Sequence, residues 1–175
     1  MNIVAPSHAV VLDSGIRLEI GFEDVVRFHG RTSIGGAALG FRLIQRALTD
    51  LTPEAPPERA TIHFLTAFPG PGLRDAIEMV TRAVTRGAYV IDLECAPVTA
   101  PEAAKGRFWF EVTIAERKAA YQPATGLLTA EFIDLSRKSI NQTLDANEVN
   151  CWTAAKEELA ACVMALTPND ALVRV

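Results

Sequence analysis

Cysteine is scarce in this chain and follows no pattern. Cys95, Cys151 and Cys162 lie far apart and form no CxxC pair. An odd count without regular spacing excludes a disulfide framework and fits a reducing compartment. Cys162 reads as ordinary helix packing, because a free thiol behaves as a small hydrophobe. Basic runs are missing too: no five consecutive basic residues occur, and the net charge is -4. That speaks against nucleic acid as the main partner, since phosphate backbones call for a basic face. No window approaches the roughly 18 apolar residues of a membrane span, so no membrane partner is expected. Met1 to Leu12 has neither a basic start nor a long apolar run, so it is not read as a secretory leader. A soluble, cytoplasmic protein is the expectation. There is no GxSxG, and no cysteine has an activating neighbour, so the sequence offers no nucleophile–base pair.

What is present is enough for one folded unit. The 175 residues are 49% hydrophobic and 22% charged, the composition of a soluble globular chain, and a single domain over 1-175 follows. His8 to Leu12 and Ile16 to Ile20 flank Asp13-Ser14-Gly15 as a hairpin would. Phe22 to Phe28 fits a short helix. Gly36 to Leu51 is a helix by the recurrence of Ala37, Phe41, Ile44, Leu48 and Leu51, and Pro53 ends it. Ala60 to Ala67 reads as a strand. After Phe68-Pro69-Gly70-Pro71-Gly72, a helix is predicted over Leu73 to Arg86, with Gly87 as its stop.

Ala88 to Cys95 reads as another strand. In Arg107 to Ala115, Phe108, Phe110, Val112 and Ile114 alternate with a wetter face that includes Trp109, the pattern of an antiparallel strand covered on one side. Tyr121 to Gln142 is ambiguous. Asp145 to Leu166 is a long helix opened by a capping box of Asp145 and Glu148. Leu172 to Val175 fits a last short strand. The fold class expected is α+β, a mostly antiparallel sheet packed against about three main helices. Broad apolar helix faces and an aromatic strand exceed what a small sheet can cover, so a homodimer is expected.

The chemistry concentrates between Phe28 and Arg42, where His29, Arg31, Thr32 and Ser33 precede Gly35-Gly36 and a helix start. Backbone N–H groups at such a start, aided by the helix dipole, bind carboxylate or phosphate. Arg31, Thr32, Ser33, Gly35 and Gly36 are therefore candidate ligand-binding residues. Gly72 and Arg74 join them from the second glycine-bearing helix start, provided both starts face one cleft. His29 is the candidate general acid or base, since its ordinary pKa lies near neutrality. Asp75 and Glu78, one turn apart, are candidates to orient it.

The same stretch resembles the E-subunit family of formylmethanofuran dehydrogenase, whose members carry a motif of the form HGHxCPGxALGYR. Phe28-His29-Gly30 matches its left half, and Gly36-Ala37-Ala38-Leu39-Gly40-Phe41-Arg42 its right half. Asp75-Ala76-Ile77-Glu78-Met79-Val80-Thr81 resembles the start of a second motif, DAIQxxTGCTxGKG. Phe110 to Lys118 loosely follows a third feature, an aromatic strand ending in an acidic and basic pair. The resemblance spans roughly residues 22 to 120, in the family's order.

It implies packing of the two glycine-bearing helices side by side, and a metal site. Of the metal ligands, only His29 carries over. Arg31 or Thr32 stands near the family's second histidine, Ser33 or Ile34 near its cysteine, and Ala83 in place of the second motif's cysteine. The C-terminal zinc module is absent. Zinc asks for three or four nitrogen or sulfur donors, so a divalent metal is not expected, and no other cofactor is assigned. Arginine and hydroxyls in place of soft donors turn a cation site toward an anion site. The function expected is an accessory or small-molecule-binding protein, similar to that E-subunit family, with a polar, anion-binding cleft around His29 and Arg31. The alternative is a metabolic enzyme using His29 on a carboxylate- or phosphate-bearing small molecule.

Overall fold

A computed structural model describes residues 7–175. The view of Met1 to Leu12 as something other than a leader falls partly on residues 1–6, outside the described ones. The chain runs through a hairpin, β1 (His8–Asp13) and β2 (Ile16–Gly21), then α1 (Phe22–His29) and α2 (Ile34–Leu51). After a short 3-10 turn come β3 (Ile62–Thr66), α3 (Pro71–Thr81), β4 (Tyr89–Ile91), β5 (Phe110–Ile114) and β6 (Arg117–Pro123). It closes with α4 (Ala130–Asn141), α5 (Ala146–Ala165), α6 (Pro168–Ala171) and β7 (Leu172–Arg174). The fold is α+β. Among the described residues no helix is long and apolar enough to cross a membrane.

The main sheet has the order β4-β3-β5-β6-β7. It is mixed rather than simply antiparallel: β4 runs parallel to β3, and the other neighbours are antiparallel. The reason lies in the connection. Helix α3 intervenes between β3 and β4, and a crossover of that kind returns the chain in the same direction. One face of the sheet is buried through Ile62, Phe64, Phe110, Val112, Ile114 and Tyr121. The alternate positions His63, Thr113 and Lys118 stay at least partly exposed, which is the two-faced pattern the strand sequences carry. Trp109 packs inside, against the strict alternation of its strand. Expected on the wetter face, it is only 8% exposed, because it precedes the regular strand and escapes its alternation.

Helix α2 is the central element. It is buried along most of its length and touches α1, α3, α5, α6, β1, β6 and β7. Small residues make this possible. A Cβ on Gly40 would lie 2.9 Å from the carbonyl oxygen of Leu73, and one on Gly35 would lie 2.9 Å from the Leu159 side chain. Helix α3 stops at Thr81, five residues before the predicted end at Arg86. Arg82 takes a left-handed backbone (φ 57), and the Glu78 carboxylate accepts the N–H groups of Val84 and Thr85 at 2.8 and 3.1 Å, turning the chain away. The strand predicted over Ala88 to Cys95 is confined to Tyr89–Ile91. The ambiguous stretch from Tyr121 to Gln142 divides into the end of β6 and helix α4, capped by the Thr129 hydroxyl, which accepts the Phe132 N–H at 3.2 Å. The Asp145–Glu148 capping box opens α5 as its sequence predicts.

Candidate functional site

His29 is the last residue of α1, and Gly30, at φ 78, redirects the chain toward α2. Its imidazole is only 6% exposed. The Ser33 N–H donates to Nε2 at 3.2 Å, so Nε2 holds a lone pair and the ring proton sits on Nδ1. That proton is donated to Asp75 Oδ2 at 2.8 Å. His29 therefore joins the end of α1, the start of α2 and the first turns of α3. Both ring nitrogens are thus engaged within the protein, and His29 is not among the residues that line the cavity described below. Replacing His29 with alanine is expected to cost about 2 kcal/mol, since it leaves Asp75 Oδ2 and the Ser33 N–H without the imidazole between them. Urea unfolding measures this, and an unchanged midpoint would contradict the joining role.

The other predicted residues divide into two groups. Asp75 meets His29 as expected, whereas Glu78 serves the turn after α3 and does not approach the imidazole pair. Arg31 forms a two-pronged ion pair with Glu157 of α5, with 2.8 Å from its Nε to Glu157 Oε1, and stays 64% exposed. The guanidinium holds the Glu157 carboxyl below the usual carboxylate range. Arg74 leans on Asp75 Oδ1 at 3.3 Å. Neither arginine lines the cavity. His29 and Arg31 each pair with an acid, Asp75 and Glu157, and Arg31 lines a separate surface hollow with Arg27 and Glu157.

Thr32, Ser33, Gly35, Gly36 and Gly72 do come together. They line a partly open cavity of about 420 Å³ at the starts of α2 and α3, flanked by the segment around Lys105 and by α4 and α5. The two glycine corners touch: a Cβ on Gly72 would sit 2.1 Å from the Ser33 carbonyl oxygen and 2.7 Å from the Ala37 nitrogen. Both helix starts lack side-chain caps. Ser33 stands at the cap position of α2 without capping it, and α3 begins with Gly70 and Pro71. The first N–H groups of each helix have no acceptor within their own helix. Of these, the N–H groups of Gly35, Gly36 and Gly72 belong to residues at the cavity, Ile34 and Leu73 are not among its walls, and Pro71 carries no N–H.

Two lysines missed in the sequence complete the wall. Lys156 on α5 donates to the Thr32 carbonyl at 2.6 Å and lies 5.3 Å from the centre of the Trp152 ring. Lys105 comes from the loop before β5. No local pattern marks Lys105. The spacing of Trp152 and Lys156, one helical turn apart, is the only trace of the second. Among the described residues no carboxylate lines the cavity. Its apolar walls include the ring pairs Phe68–Phe108 and Phe132–Trp152, with centroids 4.5 and 5.1 Å apart.

The metal implied by the formylmethanofuran dehydrogenase resemblance does not fit these residues. Both His29 nitrogens are spent, and among the described residues no three of His, Cys, Asp and Glu gather as a metal would need. No protein-family model matches the chain, and no curated protein matches it.

Proposed function

We propose that this is a small-molecule-binding or accessory protein, related to the E-subunit family of formylmethanofuran dehydrogenase, that takes an anionic ligand between the starts of α2 and α3. One observation carries this: two uncapped, glycine-bearing helix starts and two lysines surround one cavity without a carboxylate among its described walls. Helix starts attract negative charge through their free N–H groups and dipoles, and the lysines add formal charge. The kinship is supported by the two sequence motifs, which fall on α2 and α3 and pack against each other at the cavity floor. The lysines and helix starts take the place expected for Arg31 and His29.

Nuclear magnetic resonance tests the proposal. Titration with acetate or inorganic phosphate is expected to shift the amides of Gly35, Gly36 and Gly72 first. Shifts centred on Arg31 and Arg74, or no saturable shift, would refute it. Pairing of two chains belongs to the same proposal and is supported by Val90 and Ile91, 51% and 43% exposed on the edge strand β4. Sedimentation should show a dimer at micromolar concentration; a lone monomer would end that part. The thiol content, which fits a reducing compartment, supports a cytoplasmic location.

A further inference from the structure

Resting on the anion-binding proposal, we propose that the ligand is a single-headed organic acid with an extended apolar body, its carboxylate at the helix starts and its body under α4. The cationic equipment is small. Lys156 gives one of its three N–H donors to the Thr32 carbonyl and keeps its charge, so the head meets two ammonium groups, Lys105 and Lys156, beside the N–H groups. It is the apolar character of the other walls that favours an organic acid over inorganic phosphate. The rest of the wall is aromatic and aliphatic, including Phe68, Phe108, Phe132 and Trp152.

Helix α4 supplies the second argument. No residue of α4 is buried, yet Phe132 and Ile140 line the cavity, and Ile140 is 60% exposed. An apolar body in the cavity would remove Ile140 from water and extend the contact that Phe132 already makes with Trp152. The size can be bounded. The cavity of about 420 Å³ is partly open to solvent, which favours a medium-chain acid such as decanoate over a small one like acetate or a long one like palmitate.

Calorimetry with acetate, hexanoate, decanoate, palmitate, decanol and inorganic phosphate, each below its aggregation limit, tests this on the full chain. Affinity is expected to rise about two- to fourfold per methylene from hexanoate to decanoate and then to fall for palmitate. Lys105→Ala is expected to weaken decanoate about tenfold, and Phe132→Ala similarly, with circular dichroism checking that each variant stays folded. Acetate or phosphate binding as tightly as decanoate would overturn the ligand class and leave the anion proposal standing. Decanol binding as tightly as decanoate would overturn both, as would no binding by any probe.

Discussion

Gly72→Val is expected to lower the free energy of unfolding by about 3 kcal/mol, near the top of the range for overpacking, while Gly36→Ala is expected to be neutral or slightly stabilising. The two glycines face each other across the α2–α3 contact and are easily taken for equivalents. A Cβ on Gly72 would enter the Ser33 carbonyl at 2.1 Å, and that neighbour is backbone, which cannot swing aside. A Cβ on Gly36 would meet Leu73 N at 3.5 Å and Gly72 Cα at 3.6 Å, ordinary van der Waals distances. Alanine at position 36 also gains helix propensity, since glycine in a helix interior costs up to about 1 kcal/mol relative to alanine. Chemical unfolding of both variants checks the contrast. Equal losses at the two positions would mean that α2 and α3 do not approach as described.

Arg42→Met is the second large effect, about 3 kcal/mol in the same assay. Arg42 is 2% exposed in the middle of α2, and burial pushes its guanidinium below the usual arginine range. It donates to the carbonyls of Val163 and Met164, at 3.4 and 2.6 Å, where α5 ends, and to Gln45 Oε1 at 2.7 Å. Gln45 in turn donates from Nε2 to the His8 carbonyl at 3.1 Å. A cation at a helix C-terminus satisfies carbonyls that lack intrahelical partners. Methionine fills much of the volume but removes the donor to the Met164 carbonyl, at about 1–3 kcal/mol for a buried unsatisfied group, together with the link to Gln45, while the Val163 carbonyl keeps the Leu166 N–H at 3.3 Å. Lysine should rescue only part of the loss, because one ammonium cannot reach α5 and Gln45 with the same fork. A loss under about 1 kcal/mol for Arg42→Met would show that water replaces the guanidinium.

The elements most legible in the sequence are those whose causes are local. The Asp145–Glu148 box, the Ser14-Gly15 turn with both residues at positive φ, and the apolar spacing of α2 each write their structure into neighbouring residues. What escapes depends on distant chain. Nothing in Val84 and Arg86 reveals that Glu78 will reach forward and end α3 early. The direction of β4 depends on where α3 packs, and the wet or dry fate of Trp109 on the irregular segment before β5. The candidate site shows the same division. The glycine corners are visible because close approach needs glycine at Gly72. Lys105 and Lys156 are not, since only the placement of the late helices and the loop before β5 brings them to the cavity. His29 stands out by residue type, yet its engagement by Asp75 and Ser33 is a property of three elements meeting.

The β1–β2 hairpin forms its own two-stranded sheet outside the five-stranded one. It is moored by Ala9, Val11 and Ile20, by the Leu12 N–H to the Pro57 carbonyl at 2.8 Å, and by the Glu58 carboxylate on the Ser14 and Gly15 amides. Two strands alone are marginal in water, so residues 8–21 should peel away in sub-global excursions while the larger sheet persists. Native-state amide exchange would register them as the least protected strands, and Glu58, far along the chain, as the residue that sets how often they come loose.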